Sequence, residues 1–185
     1  MNSYSATYIA RFRATLDTVD VDKVGQAIEW FREARDQARQ IFVCGNGGSA
    51  STASHLAADV IKGASYGRPR RFRILSLVDS LPTITAYAND VSYDCVFAEQ
   101  LKNLAQSGDL VMGISGSGNS PNVLRAIEYA NSIGCRTLAL TGRDGGQLGP
   151  LAQLNIQVSE PHMGRIEDAH LVICHMICYY FMDAE

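Results

Sequence analysis

Five short apolar segments with strand-like composition recur along the chain, and segments with helical spacing separate them. The apolar segments are residues 40–45, 72–78, 110–115, 135–141 and 154–159. Strands that alternate with helices indicate a parallel sheet covered on both faces, and short, nearly continuous apolar strands fit that burial. We therefore predict a single doubly wound, flavodoxin-like α/β domain with a five-stranded parallel sheet.

Helices are also predicted at both ends of the chain. Two amphipathic segments, about 3–18 and 20–38, precede the first strand, and a strongly apolar segment, 165–182, closes the chain. Together they offer more apolar surface than one small sheet needs to cover, so we expect a homo-oligomer. A chain of 185 residues fits one domain, with 1–38 as N-terminal helices for oligomerisation and 39–185 as the α/β core.

Charge and cysteine usage narrow the class of protein. A formal net charge of −3 argues against nucleic-acid binding, which normally needs a basic face. The basic cluster Arg68, Arg70, Arg71 and Arg73 fits a solvated loop, or a contact with an anionic ligand or a neighbouring subunit. Five cysteines, mostly in apolar segments, favour reduced, buried thiols. The N-terminus is charged where a signal peptide is apolar, and 171–181 is too short to cross a bilayer, so we expect a cytoplasmic protein without a membrane partner.

Loops rich in glycine and serine follow three of the predicted strands. They are GNGGS at 45–49, SGSGNS at 115–120 and TGRDGG at 141–146. In a doubly wound fold, ligands bind outside the carboxyl ends of the strands, so all three loops lie at the expected binding edge. Glycines let the backbone approach a ligand closely, and the helix N-termini that follow offer free N–H groups to an anion.

The serine loop predicts a site for a single phosphate monoester. A helix N-cap needs only one hydroxyl, which Ser120 before Pro121 could supply, whereas the loop also holds Ser115 and Ser117. The chain has no P-loop lysine pattern, and GNGGSA lacks the dinucleotide-binding register. We therefore predict a sugar-phosphate ligand. The candidate binding residues in the first two loops are Asn46, Gly47, Gly48, Ser49, Ser115, Gly116, Ser117, Asn119 and Ser120.

Four motifs together, GNGGSA, S-x-SGNS, TG-x-DGG and RIEDAHLVICH, resemble the sugar isomerase (SIS) domain family and, within it, the phosphoheptose isomerases. The resemblance covers nearly the whole chain and includes AND at 88–90. It implies interconversion of sedoheptulose 7-phosphate and D-glycero-D-manno-heptose 7-phosphate through an enediol, in heptose biosynthesis for lipopolysaccharide. It also implies one zinc ion (Zn2+) per site and a homotetramer with shared active sites.

The resemblance further implies a metal and acid–base site. The implied zinc ligands are His55, Asp59, Glu167 and His175, and the implied proton carriers are Asp59 and His175. The two roles compete at His175, because a ring nitrogen that holds a metal cannot also take a proton. From spacing alone, His175 is better explained as a buried core histidine. His170, about 140° from His175 around the helix, is expected at the surface or at a subunit interface.

The chain departs from the family pattern at four positions. Asp59 stands where the family usually has glutamate, Glu167 where it usually has glutamine, and Gly164 where an acidic residue is expected. The arginine that commonly follows the first catalytic helix has no clear counterpart near Gly63. A shorter carboxylate changes the reach towards a substrate proton, and the added charge favours a divalent cation while lowering its Lewis acidity. Two alternatives therefore stay open: a non-catalytic SIS protein that binds a sugar phosphate or a protein partner as a regulator, and an isomerase of another sugar phosphate.

Three further side chains have two interpretations each. Asp90 matches a family position near the substrate, and it also fits a turn or an N-cap before a helix at 92–104. Thr141 and Gln147, in TGRDGGQ, are candidates to bind the sugar hydroxyls. The same segment fits an ordinary glycine-rich turn from a strand to a helix.

Overall fold

Five parallel strands form one sheet in the order β2–β1–β3–β4–β5 in a computed structural model that describes residues 2–185. The strands are β1 (Gln40–Gly45), β2 (Arg73–Ser76), β3 (Leu110–Ser115), β4 (Arg136–Gly142) and β5 (Leu154–Val158). The sequence prediction of a doubly wound sheet is confirmed, and each strand lies within two residues of its predicted bounds. This strand order is the flavodoxin-like one, in which the order reverses between β1 and β3.

Helices connect the strands and extend the chain at both ends. They are α1 (Asn2–Leu16), α2 (Val21–Asp36), α3 (Gly48–Ala58), α4 (Leu81–Asp90), α5 (Val96–Leu104), α6 (Pro121–Ser132), α7 (Leu148–Leu151) and α8 (Met163–Asp183). A π-helix, Asp59–Gly63, continues α3, and a 3₁₀ turn, Tyr93–Cys95, leads into α5. No helix within residues 2–185 is both long and apolar enough to cross a membrane.

The two faces of the sheet are buried against different helices. Successive side chains of a strand point to opposite faces, and in β1 Ile41 and Val43 join the core that α2, α3 and α8 cover. Phe42 and Cys44 point the other way, into the core that α5 and α6 cover. All four side chains are at most 1% exposed, which explains why this strand is apolar at every position.

The cysteines and the arginine cluster both have structural roles. Each of the five cysteines is buried with a free thiol, as predicted. Arg70 pairs with Asp36 at 3.0 Å, and Arg68 and Arg73 donate to main-chain carbonyls. These contacts within the chain favour the interpretation of the cluster as a loop that leads into β2.

A buried polar network attaches α1 to the loop before α8. Glu160 accepts hydrogen bonds from the Thr15 hydroxyl at 2.7 Å and from the Arg165 guanidinium at 2.8 Å. The bond from Arg165 lowers the pKa of Glu160 to about 2. Nearby, Tyr8 donates to Asp168 at 2.6 Å, and this bond raises the pKa of Tyr8 to about 12. Hydrogen bonds from two α1 hydroxyls to carboxylates thus fix the position of α1, most of whose residues are exposed.

Replacing Glu160 should destabilise the fold and remove part of its acid sensitivity. The pKa of Glu160 lies below its ordinary value of 4.5, so its stabilising effect is present above about pH 4.5 and is lost as the pH falls towards 2. Glu160→Gln leaves the Arg165 charge buried and unpaired, which should cost about 3 kcal/mol at pH 7. Urea unfolding at pH 7 and between pH 5 and 3, at fixed protein concentration, measures both effects.

Glu29→Gln is the matched control, because Glu29 pairs with Arg32 on a solvent-exposed face of α2. It should change the free energy of unfolding by less than about 1 kcal/mol. Equal losses in the two variants, or an unchanged pH dependence in Glu160→Gln, would contradict the assigned role of the buried pair.

Candidate functional site

Two of the predicted binding loops meet where the strand order reverses. Strands β1 and β3 are neighbours, but α3 packs on one face of the sheet and α6 on the other. The chain therefore leaves the two strands in opposite directions, which opens a crevice at their carboxyl ends. The loops 45–49 and 115–120 border this crevice, as the sequence predicted.

A reciprocal pair of amide side chains joins the two loops. Asn46 Nδ2 donates to Asn122 Oδ1 at 2.8 Å, and Asn122 Nδ2 donates to Asn46 Oδ1 at 2.9 Å. The Tyr93 hydroxyl also donates to Asn46 Oδ1, at 2.8 Å. Both amide atoms of Asn46 are thus engaged, which supports a positioning role for Asn46 in place of its predicted contact with the ligand.

Asn122 and Tyr93 were not among the residues predicted for the site. Asn122 is 1% exposed and lies in the first turn of α6, where polar residues are common for reasons unrelated to a site. Its position directly after Ser120 and Pro121 was the only available signal. Tyr93 lies far from both loops in the sequence, so no local pattern indicated it.

The three serine hydroxyls of the second loop come together. Ser115 Oγ lies 3.0 Å from Ser120 Oγ and 3.4 Å from Ser117 Oγ. Ser120 occupies the N-cap position of α6 with Pro121 after it, but its hydroxyl makes no capping bond. It is directed towards Ser115 instead. The N-cap explanation for that hydroxyl is therefore wrong, and the geometry fits a cluster of donors for an anion.

The first loop makes a close contact with α8. A side-chain carbon added to Gly48 would lie 2.6 Å from Oε1 of Glu167, so a larger residue here would displace the Glu167 carboxylate. Gly47 precedes it with φ +54°, in the left-handed region that favours glycine. Ser49 follows it and is buried. The carboxylate of Glu167 therefore lies against the N-terminal turn of α3, where the helix dipole favours a negative charge.

Three of the predicted metal and acid–base side chains converge. His55 Nε2 lies 2.9 Å from His175 Nε2 and 3.2 Å from Asp59 Oδ2, and His175 Nε2 lies 3.8 Å from the same carboxylate oxygen. Two imidazoles and one carboxylate are within 4.8 Å of one another in every pair of ligand atoms. Glu167, predicted as the fourth ligand, is not in this group among the residues described here, because its carboxylate lies at Gly48.

Local geometry explains how the three side chains meet. His55 and Asp59 are four residues apart at the end of α3, so they share one face of the helix, and the π-helix begins at Asp59. His175 reaches the same point from α8. Its side chain is 40% exposed, so the alternative of a buried core histidine is wrong. Tyr179, one turn further along α8, packs edge-on against His175 with ring centres 5.7 Å apart.

The donor set and its spacing fit a divalent metal ion of the zinc type. Ligands held at about 2.0–2.1 Å in a tetrahedral zinc site lie roughly 3.3 Å from one another. The three separations in this group, 2.9, 3.2 and 3.8 Å, fall on both sides of that value. Imidazole nitrogen and carboxylate oxygen are also the donors that catalytic zinc sites use.

His170 was predicted at the surface or at an interface, and that prediction is wrong. It is 1% exposed, and its Nε2 lies 3.0 Å from the carbonyl oxygen of Thr141. Burial lowers its pKa to about 4. The rotation of about 140° from His175 places His170 on the side of α8 that packs against the sheet, which is why only His175 reaches the crevice.

The structure also bears on the two candidates for sugar contacts in the TGRDGGQ segment. Thr141 is fully buried, and its hydroxyl donates to Asn155 at 2.8 Å. It is still part of β4, so the geometry does not support the predicted contact with sugar hydroxyls. Gln147 is exposed and donates from its main chain, at 3.1 Å, and from its side chain, at 3.3 Å, to Asn119 Oδ1. It therefore links the second and third loops.

Asp90 was given two interpretations, and the N-cap one is wrong. It is the last residue of α4, and the next helical turn begins only at Tyr93. Its carboxylate is exposed and accepts a bond from the neighbouring Asn89 at 2.8 Å. Its proximity to a substrate stays a prediction.

The fold and the site define a doubly wound α/β domain with a serine-rich loop at the reversal point of its sheet, and a family model for the SIS domain matches residues 5–142. The chain belongs to the SIS domain family. Within that family it is similar to the phosphoheptose isomerase of Pelobacter propionicus, with 41% identity over 157 residues, 85% of this chain and 80% of that protein.

Two solved structures of phosphoheptose isomerases extend the similarity through α8. The structure from Neisseria gonorrhoeae has a TM-score of 0.89 and 31% identity, and the match covers 97% of each chain. The structure from Francisella tularensis has a TM-score of 0.90 and 27% identity, covering 100% of this chain and 96% of that one. The part of the fold that carries Glu167 and His175, outside the family model, is therefore shared with these structures.

The pairing of Asn46 with Asn122 should appear as a coupling free energy in a double-mutant cycle of unfolding stability. Asn46→Ala leaves the buried amide of Asn122 without its partner and should lose about 1–3 kcal/mol of stability, and Asn122→Ala, which leaves the half-buried Asn46 unpaired, should lose less. The double variant should lose less than the sum of the two, with a coupling energy of about 2 kcal/mol. Urea unfolding of the four proteins measures this coupling.

Asn103→Ala combined with Asn46→Ala is the control pair, because Asn103 bonds only within the exposed end of α5. Its effect should add to that of Asn46→Ala. Strict additivity for Asn46 and Asn122 would contradict a shared interaction.

Proposed function

We propose that the chain acts as a phosphoheptose isomerase that interconverts sedoheptulose 7-phosphate and D-glycero-D-manno-heptose 7-phosphate through an enediol. The observation that carries the proposal is that His55, Asp59 and His175 meet at one point. His55 and Asp59 come from the helical segment that starts at the reversal point, and His175 comes from α8. Relatives that are about 41% identical over most of the chain and are named phosphoheptose isomerases support the same activity.

The reaction needs a base that moves a proton between C1 and C2 of the sugar. The Asp59 carboxylate is the best placed group, since its side chain is 25% exposed and it lies beside two imidazoles. It would take the proton from C1 of the ketose and return it to C2 of the enediol. Positioned general bases of this kind contribute about 10²–10⁴-fold to rate.

The close approach of the two imidazoles limits their ability to carry protons. Their Nε2 atoms face each other at 2.9 Å, so at most one of them can hold a proton on that line. The predicted role of His175 in proton transfer would therefore require a nitrogen that is free of other partners. Asp59 has a second carboxylate oxygen, which lets it contribute one oxygen to the group and use the other on the substrate.

We also propose that zinc occupies this group. His55 Nε2, His175 Nε2 and Asp59 Oδ2 would hold it, and zinc would supply electrostatic stabilisation of the negative charge that develops on the substrate oxygens. The predicted role of Glu167 as a fourth ligand would require its carboxylate to leave Gly48. Without it, three protein ligands and one open position correspond to a catalytic rather than a structural zinc site.

The serine loop would hold the phosphate end of the substrate. Ser115, Ser117 and Ser120 can each donate a hydroxyl hydrogen bond, and the first turn of α6 adds main-chain N–H groups with a favourable dipole. None of these groups is charged, and their hydrogen bonds would fix the position of the phosphate. The group of His55, Asp59 and His175 would then act on the other end of the sugar.

The remaining parts of the proposal concern assembly and cellular role. Exposed apolar side chains on α1 and α8, among them Tyr4, Ile9, Met176 and Tyr179, are consistent with a homotetramer in which the N-terminal helices (1–38) and the core (39–185) form one SIS domain. We place the enzyme in the cytoplasm, where its product would enter heptose biosynthesis for lipopolysaccharide.

Turnover should depend on zinc. The purified protein, incubated with sedoheptulose 7-phosphate and zinc, should form the aldose phosphate, and a chelator should abolish the activity reversibly. Discontinuous analysis of the sugar phosphates measures product directly. Absence of product under both conditions, from protein that is folded and oligomeric, would reject the heptose substrate and favour a regulator or an isomerase of another sugar phosphate.

Asp59→Asn should lower kcat by about 10²–10⁴-fold, because an amide cannot take the proton. Asp59→Glu keeps the base and should retain much of the rate. Asp17→Asn, on the exposed end of the turn after α1, is the control and should leave kcat unchanged. If Asp59→Asn kept the wild-type kcat, the proton would be moved by another group.

A further inference from the structure

A cavity of about 600 Å³ lies beside the serine loop and contains one arginine that the proposed reaction does not yet use. Its lining includes Ser117 and Asn119 from the serine loop, Arg143 and Asp144 from the loop after β4, and Glu160. This volume is within the range of small-molecule sites. Because Ser117 belongs both to the serine cluster and to this cavity, a phosphate on the serine loop would border the cavity.

The main chain holds Arg143 firmly in this place. Its φ is +55°, a conformation that costs about 1–3 kcal/mol for residues other than glycine and persists only where the surroundings impose it. Gln157, in β5, donates from its side chain to the Arg143 carbonyl oxygen at 2.8 Å. The main-chain conformation of Arg143 is therefore fixed by the surrounding fold.

The loop that carries Arg143 is also fixed against the serine loop. The Leu148 main-chain N–H donates to the Gly118 carbonyl at 2.8 Å, and Gln147 bonds to Asn119. A side-chain carbon at Gly118 would overlap the carbonyl oxygen of Gly145. Contact this close means that the two loops form one unit, so the position of Arg143 relative to the serines is part of the fold.

The charged groups around Arg143 indicate which kind of ligand this cavity could bind. Glu160 is already neutralised by Arg165 at 2.8 Å, and Asp144 accepts a bond from the main-chain N–H of Gly146. Within residues 2–185, the guanidinium of Arg143 has no carboxylate partner. It is exposed, and the serine loop beside it contains no charged residue. A guanidinium can bind two phosphate oxygens at once, so Arg143 would add a positive charge beside a loop of neutral donors.

We propose that Arg143 is a specificity-determining residue that contacts the phosphate group of the substrate from the cavity beside the serine loop. This inference rests on the proposed function for the phosphate on the serine loop and for the identity of the sugar, and phosphate titration tests the first of these without the second. Arg143 selects a phosphorylated sugar over a neutral one, while the serine hydroxyls set the position of the phosphate.

Titration of inorganic phosphate into the whole protein, followed by calorimetry, tests the proposal without turnover. Arg143→Ala should weaken phosphate binding about tenfold, the effect of one charged hydrogen bond, and Arg143→Lys should weaken it less. Arg136→Ala is the matched control. It removes the same charge from the other end of β4, where Arg136 pairs with Glu33, and it should leave phosphate affinity unchanged.

Arg143→Gly separates binding from stability. Glycine accepts φ +55° without strain, so this variant should melt at a higher temperature than the wild type while it loses phosphate affinity as Arg143→Ala does. In turnover assays, both variants should show KM raised about tenfold with little change in kcat.

The outcomes distinguish this proposal from the proposed function. Wild-type phosphate affinity in Arg143→Ala, or no phosphate binding by the wild type, would overturn the role of Arg143. Weakened phosphate binding in Arg143→Ala, together with no turnover of sedoheptulose 7-phosphate by the wild type, would support Arg143 and reject the heptose substrate alone.

Discussion

The paired amides of Asn46 and Asn122 connect the two halves of the molecule at the place where function is expected. The strand order reverses between β1 and β3, and no main-chain ladder continues beyond their carboxyl ends, so the loops there would otherwise be free to separate. Asn122 is almost completely buried, and a buried amide without partners costs about 1–3 kcal/mol. The reciprocal bonds satisfy both residues only when the loops lie side by side. The crevice therefore has one width, and the serine cluster has one position relative to α3.

Helix α8 performs three separate tasks along its 21 residues. Its first turn carries Arg165, which neutralises Glu160 and fixes α1. Its middle packs against the sheet through His170, whose neutral imidazole bonds to β4. A further turn carries His175 into the group with His55 and Asp59. Because one rigid helix carries all of these contacts, packing at its start determines the placement of His175.

The fold was predictable from the sequence because its strands are apolar at nearly every position and glycine-rich loops mark their ends. The serine cluster was predictable for the same reason, since SGSGNS is contiguous. The partners that come from distant segments were not. Nothing in the sequence near Asn46 indicates its contact with Tyr93. Whether His170 is buried or exposed depends on which side of α8 meets the sheet. The convergence of His55, Asp59 and His175 followed from the family resemblance, because their spacings alone are common in ordinary helices.

The departures from the family pattern have different consequences once the structure is considered. Asp59 is a methylene shorter than the usual glutamate, yet its carboxylate still reaches 3.2 Å from His55, because the two residues share a helix face at the start of the π-helix. Glu167 adds a negative charge, but its carboxylate lies at the N-terminal turn of α3, where the helix dipole contributes about half a positive charge. The added charge is thus partly neutralised away from the histidines. Both substitutions are therefore compatible with the same three-residue group, and the serine loop contains neither of them, although the Glu167 carboxylate borders the first loop at Gly48.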